Sequence, residues 1–153
     1  MSKIKILVAC HKQVPKLKSS IMDWIQVGAA NHKEHFESIL HDDDGENISS
    51  KNPSFCELTA QYWAWRNLKA DYYGFFHYRR YFNFSEKRYI TDGWGNVLEE
   101  KLSDQMQKKY GLNDNRIEQL VTQYDLIIAE EKDVKKMPSH DRSAVSYTHL
   151  RAH

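Results

Sequence analysis

Three groups of residues in this 153-residue chain have the types and spacing for site chemistry. Asp42-Asp43-Asp44 contains an Asp-x-Asp spacing, and two such carboxylates supply the oxygen ligands that a hard cation such as Mg2+ or Mn2+ takes. The loop that follows carries Asn47, Ser49, Lys51 and Asn52, a set rich in hydrogen-bond donors and acceptors. His77, Arg79 and Arg80 form a basic cluster whose guanidinium forks match phosphate oxygens in pairs and clamp a phosphate without metal. His11 adds an imidazole directly after the first apolar run. Two loops of opposite charge, joined by one helix and one strand, make a site for a charged, hydrogen-bonding small molecule.

The elements that must hold these groups are legible from periodicity. Ile4–Cys10 is an apolar, partly β-branched run that empties into His11-Lys12-Gln13, the pattern of a buried first strand of an α/β sheet. Ligands of such sheets collect at the carboxyl ends of the strands. Trp24–Gly28 reads as a second, shorter strand, and residues 31–52 as an irregular connection with a helical turn near His35 and a short strand at Ser38-Ile39-Leu40. Pro53, Ser54 and Glu57 give a helix entrance with a capping box, so one helix is expected from Ser54 to about Leu68. Its apolar positions Phe55, Leu58, Tyr62 and Trp65, with Thr59, Trp63 and the neighbouring Leu68, predict a broad buried face, with Trp63 and Trp65 as core residues rather than a stacking platform for a sugar or base.

Tyr72–Phe76 then reads as a buried strand. If its alternation persists, His77, Arg79 and Tyr81 share one face, and Tyr78, Arg80 and Phe82 the other. Residues 97–110 predict an amphipathic helix with Leu98, Leu102 and Met106 on one side, stopped by Gly111. A shorter helix from Asn115 and a strand at 125–129 complete an alternating pattern. That alternation predicts an α/β layered sheet with flanking helices.

The segments ENISSKN, SFCELTAQYWAW and YYGFFHYRRYF, with the opening IKILVACH and the IQVGAA near residue 25, resemble a bacterial domain-of-unknown-function family of capsular and exopolysaccharide glycosyltransferases. The resemblance runs from about Lys3 to Ala129. It implies a GT-A-like nucleotide-sugar-binding fold and transfer of a sugar from a nucleotide-diphosphate donor to a glycan or lipid-linked glycan precursor. No run approaches the roughly 18 apolar residues that span a bilayer, and the opening Met1-Ser2-Lys3-Ile4-Lys5 has no long apolar signal core, so a cytoplasmic protein is expected, with peripheral association at the inner face of the membrane. His11, Asn47, Ser49, Lys51, Asn52, His77, Arg79 and Arg80 are then the expected donor-binding residues, and Asp42 and Asp44 the expected metal ligands. The basic cluster stands at the strand end where many nucleotide-sugar transferases carry a metal-binding Asp motif, and that departure favours phosphate recognition by arginine, or contact with an anionic acceptor carrier, over direct metal ligation.

Glu57 is assigned to its helix cap and no catalytic base is named. Members of the family extend further, and the closing Ser146-Tyr147-Thr148-His149-Leu150-Arg151-Ala152-His153 continues no earlier periodicity. Residues 1–141 are therefore expected to form a partial, C-terminally truncated and inactive transferase-like domain, and 142–153 a non-native tail.

Composition bounds the alternatives. An apolar fraction of 41% supports a core, and a net charge of +1 is too near neutral for a dedicated nucleic-acid binder. A stacking and phosphate-binding strand for RNA at Tyr78–Phe82 and a catalytically silent nucleotide- or glycan-binding module are the rival readings. Cys10 and Cys56 form neither a disulfide framework nor a Cys-x-x-Cys pair and are read as buried thiols. His32 and His35 share a helical spacing that suits a metal, but the sequence sets no third ligand.

Overall fold

The computed structural model describes residues 2–92 and 95–131. Its centre is a parallel four-stranded sheet in the order β3-β2-β1-β4, built from β1 (Ile4–Cys10), β2 (Met22–Gln26), β3 (Leu40–His41) and β4 (Tyr72–His77). β1 is paired on both sides, Val8 lying opposite Trp24 on one neighbour and Phe76 on the other. Such a strand must be apolar on both faces, which accounts for its uninterrupted apolar stretch from Ile6 to Cys10.

The two faces feed two cores. Ile4, Ile6, Val8 and Cys10 point to the side covered by Leu17, Phe84, Met106, Tyr110, Leu112 and Ile117. Leu7 and Ala9 point to the other, where Ala60, Trp63 and Ala64 pack against Ile25 and Val27. Helices α3 (Asp104–Lys109) and α4 (Asp114–Val121) thus lie over one face, and α2 (Leu58–Asn67) over the other. This is the layered α/β architecture expected from the sequence.

Several local expectations give way to tertiary structure. The single helix from Ser54 to Leu68 is two pieces, α1 (Asn52–Phe55) and α2, broken at Cys56 with φ 48° and ψ −131°. Asn52 holds the break, its Nδ2 donating to the Cys56 carbonyl at 2.8 Å and to Thr59 Oγ1 at 3.2 Å. Neither piece has a side-chain cap, so the Ser54/Glu57 capping box does not form. The buried face of α2 is Thr59, Ala60, Trp63 and Ala64, so Thr59 and Trp63 lie inward as expected, while Phe55, Leu58 and Trp65, expected with them, are exposed. Small residues let the helix approach the sheet closely, and that outweighs the spacing of the large ones.

The helix predicted over 97–110 shrinks to α3, because the Ser103 hydroxyl accepts from the Met106 amide and starts it there. Gly111, at φ +64°, ends it as expected, and a Cβ there would lie 2.9 Å from the Phe84 carbonyl carbon. Residues 125–129 join no strand, and Leu126 and Ile128 are exposed. The expected tail, 142–153, lies outside the described residues.

Candidate functional site

All four strands run the same way, so their carboxyl ends share one edge of the sheet. The chain moves outward through β2 and β3 and then crosses to the far side of β1, which makes the β1/β4 pair the point where the strand order reverses. Open α/β sheets bind ligands in that crevice. Here the crevice is edged by His11 and Lys12 after β1 and by His77 to Arg80 at the end of β4.

Tyr78 organises the crevice. Its amide donates to the Ala9 carbonyl at 3.0 Å, extending the ladder beyond β4 and burying the ring. His11 packs edge-on to that ring at 5.3 Å, the Arg79 guanidinium lies 5.0 Å from its centre, and Lys12 Nζ 5.6 Å. The His11 and His77 rings are 6.4 Å apart. The alternation expected through residue 82 stops at His77, because the Arg80 amide donates back to the His77 carbonyl at 2.8 Å and closes a turn. Both arginines consequently stand near His77: Arg79 by way of Tyr78, and Arg80 as a lining residue of the same cleft.

The electrostatics follow from this crowding. Burial, then Arg79, Arg80 and His11, push the His77 imidazole down to about 4. His11 is lowered by burial first and then by Arg79 and Lys12, with Glu57 opposing and His32 adding to the shift. Both rings are therefore neutral at pH 7, and two permanent cations, Lys12 and Arg79, share one aromatic ring. Opposite charge arriving there relieves their mutual repulsion, so the arrangement suits an anion.

The polar loop takes a different part from the one its composition suggests. Asp42 is fully buried, and its carboxylate accepts the Gly28 amide at 2.8 Å, the Ala29 amide at 2.9 Å and the Ser49 hydroxyl at 2.5 Å. Asp44 is 72% exposed. Of the two carboxylates expected to hold Mg2+ or Mn2+, Asp42 therefore lies inside with hydrogen bonds on both oxygens, and Asp44 lies in solvent. Among the described residues, no three His, Cys, Asp or Glu side chains gather as a metal site.

Asn47 ties the loop to itself, donating to the Asp43 and Gly45 carbonyls at 2.8 and 2.9 Å. Ser49 also accepts from Ala30, and Asn52 serves the Cys56 break while packing against Gly28. Gly28 has φ +66°, and a Cβ on it would meet Asn52 Cγ at 2.7 Å. Lys51 is exposed. The structure therefore brings His11, His77, Arg79 and Arg80 together and assigns Asn47, Ser49 and Asn52 to internal hydrogen bonds.

His32 and His35 also part company. His32 packs beside Phe36, whereas His35 stacks on His41 and contacts Asp43 Oδ2 at 2.8 Å. Cys10 is buried, its thiol pushed up to about 11 by desolvation, and Cys56 is half-buried, raised by burial and then by Glu57.

One functional candidate escapes sequence reasoning. Glu57 caps nothing: it sits at the Cys56 break with Oε1 3.7 Å from His77 Nε2, its side chain 45% exposed. The contact does not charge the imidazole, because burial and the arginines outweigh a carboxylate at that distance. Glu57, Gln61, His77 and Arg80 border a cleft between α2 and β4 whose buried lining includes Leu7, Ala9, Ala60 and Phe76. The strand-end cluster itself was readable; the carboxylate became visible only once the helix broke.

A family model described as a domain of unknown function, DUF4422, matches residues 5–152. The chain belongs to the DUF4422 family. Among solved structures, this DUF4422 chain is similar to the apo structure of the WbbM bifunctional glycosyltransferase, at 37% identity and a TM-score of 0.85. The match covers 93% of this chain and 26% of that one, so the chain spans about a quarter of that protein's length. No curated protein matches it. The DUF4422 sheet, its order and its flanking helices are consistent with a GT-A-like α/β fold.

Proposed function

We propose that the protein of which these residues form a domain is a glycosyltransferase that moves a sugar from a nucleotide-diphosphate donor to a capsular or exopolysaccharide precursor. The observation that carries this reading is the cationic and imidazole cluster of His11, Lys12, His77 and Arg79 at the β1/β4 reversal point. The similarity to a bifunctional glycosyltransferase supports it.

In this reading Arg79 and Lys12 take the diphosphate and stabilise the charge that grows on it as the glycosidic bond breaks. His11 and His77, held neutral, donate or accept hydrogen bonds without adding positive charge. Tyr78 keeps these groups in register by anchoring the turn to β1. The acceptor is a glycan or lipid-linked glycan presented at the cytoplasmic face of the membrane. Among the described residues, no helix is long and apolar enough to cross a membrane.

Turnover is the test. The whole protein, incubated with a panel of sugar nucleotides and glycan acceptors, is expected to release nucleoside diphosphate and extend the acceptor. Binding without turnover across the panel would reduce the domain to a nucleotide- or glycan-binding module. Preference for single-stranded RNA over nucleoside diphosphates, with a steep fall between two salt concentrations, would replace the reading with nucleic-acid binding.

A further inference from the structure

The cleft between α2 and β4 has a volume of about 260 Å3. That is smaller than the roughly 300–1,000 Å3 of clefts that enclose drug-sized ligands, so it suits a single ring rather than a whole nucleotide. Its chemistry differs from that of the neighbouring crevice. Lys12 and Arg79 gather on Tyr78, whereas the cleft sets the Glu57 carboxylate and the Arg80 guanidinium beside the Gln61 amide and the His77 imidazole, with Phe75 partly exposed among buried apolar residues. The carboxylate and the guanidinium offset each other, so the cleft holds no excess charge to favour a second anion, and an amide and an imidazole reward hydroxyl groups. We propose that this cleft is a subsite for one neutral sugar ring, recognised through its hydroxyls by Glu57, Gln61 and His77.

The geometry around His77 supports this assignment. The Arg79 amide lies 3.3 Å from His77 Nδ1, which makes Nδ1 the acceptor and leaves Nε2 with the proton. That Nε2 is 3.7 Å from Glu57 Oε1, too far for a good direct hydrogen bond. A hydroxyl placed against both atoms accepts from the imidazole and donates to the carboxylate, satisfying each at once. The adjoining aromatic and aliphatic surface fits the C–H face of a sugar ring. His77 belongs to both compartments, with the His11 ring 6.4 Å away on the crevice side. A sugar in the cleft and a diphosphate in the crevice are therefore neighbours, as they are in a nucleotide sugar.

This inference rests on the donor reading above, and two measurements separate them. Glu57 makes no cap bond and Gln61 is exposed, so Glu57→Ala and Gln61→Ala are expected to fold like the parent, checked by circular dichroism. In calorimetry, at least one of the UDP- and GDP-hexoses is expected to bind at least tenfold more tightly than its parent diphosphate. Both variants are expected to lose most of that margin while keeping diphosphate affinity.

A margin that is absent in the parent chain, or that survives both substitutions, overturns the subsite and leaves diphosphate binding standing. Failure of any diphosphate to bind overturns the donor reading, and the second measurement then decides the subsite. Methyl hexosides titrated at millimolar concentration are expected to shift the His77 imidazole resonances in the parent and not in Glu57→Ala. No shift with any hexoside overturns it.

Discussion

Residues 42–52 and the ends of β1 and β4 are both polar and both offered themselves as sites, but their groups are spent differently. In the loop, Asp42 consumes its charge on two backbone amides and a hydroxyl, and Asn47 and Asn52 close hydrogen bonds onto nearby carbonyls. At the strand ends, Lys12 and Arg79 lean on an aromatic face, and two imidazoles are held neutral by burial and by positive neighbours. The loop has used its polarity to fold, and the crevice has kept it. A buried carboxylate that accepts three hydrogen bonds is architecture, whereas crowded like charge has capacity left for a ligand.

The sharpest way to break this contrast is Asp42→Ala. Removing the carboxylate leaves the Gly28 and Ala29 amides and the Ser49 hydroxyl buried without their acceptor, an expected loss of roughly 3–5 kcal/mol in chemical denaturation. A loss under about 1 kcal/mol would return Asp42 to the list of candidate ligands.

The second test is pH. The His77 pKa is lowered in the folded state, so the unfolded chain takes up the proton first as pH falls. Its contribution to stability is complete above the unfolded value near 6.5 and is lost as pH drops to about 4, a fall of about 3 kcal/mol. Replacing His77 with Gln is expected to flatten that part of the stability profile; an unchanged slope would place the acid sensitivity elsewhere.

Smaller still is the expected effect of Arg79→Lys on nucleoside diphosphate binding, roughly 1.5–3 kcal/mol or about one to two decades in affinity. Lysine keeps the charge and loses the planar fork, so unchanged affinity by calorimetry would remove Arg79 from the site. Arg80, which strand alternation would place on the face opposite His77, borders the cleft with His77. At the bottom of the scale, Trp65→Gln is expected to change stability by no more than about 0.5 kcal/mol, since the ring is 68% exposed. A larger loss would mean that the outer face of α2 is covered in solution.

The parts legible in the sequence were those decided locally. β1 and β4 are mainly apolar runs ended by polar residues, and the bounds of both fall within a residue of expectation, although β4, expected to be buried, is an edge strand that leaves Tyr73 and Phe75 exposed. Placement of His11 and the basic cluster at one sheet edge followed from those two strands. The orientation of α2 did not follow, because the contact with Leu7 and Ala9 selects Ala60 and Ala64 for their small size, and no period-3.6 stripe of large residues reports that. The Cys56 break was equally hidden, with a non-glycine residue held at positive φ by a side chain four positions earlier. Glu57 was lost to the reading for the same reason: a capping box is a local pattern, and the bend that cancels it comes from the Asn52 side chain.

β1 is flanked by partners from very different places in the chain. Its start is fastened to Asp71, which accepts from the Lys3 amide across 68 residues. At roughly 5–20 residues per second, a ribosome takes about 3–14 s to make that stretch. Throughout that interval the most apolar strand of the domain has one long edge and much of both faces open, far longer than the microseconds that collapse requires. The nascent chain therefore passes through a stage in which Ile4–Cys10 is a ready partner for other strands. Chaperone engagement is expected there, ending as Tyr72–His77 leaves the exit tunnel.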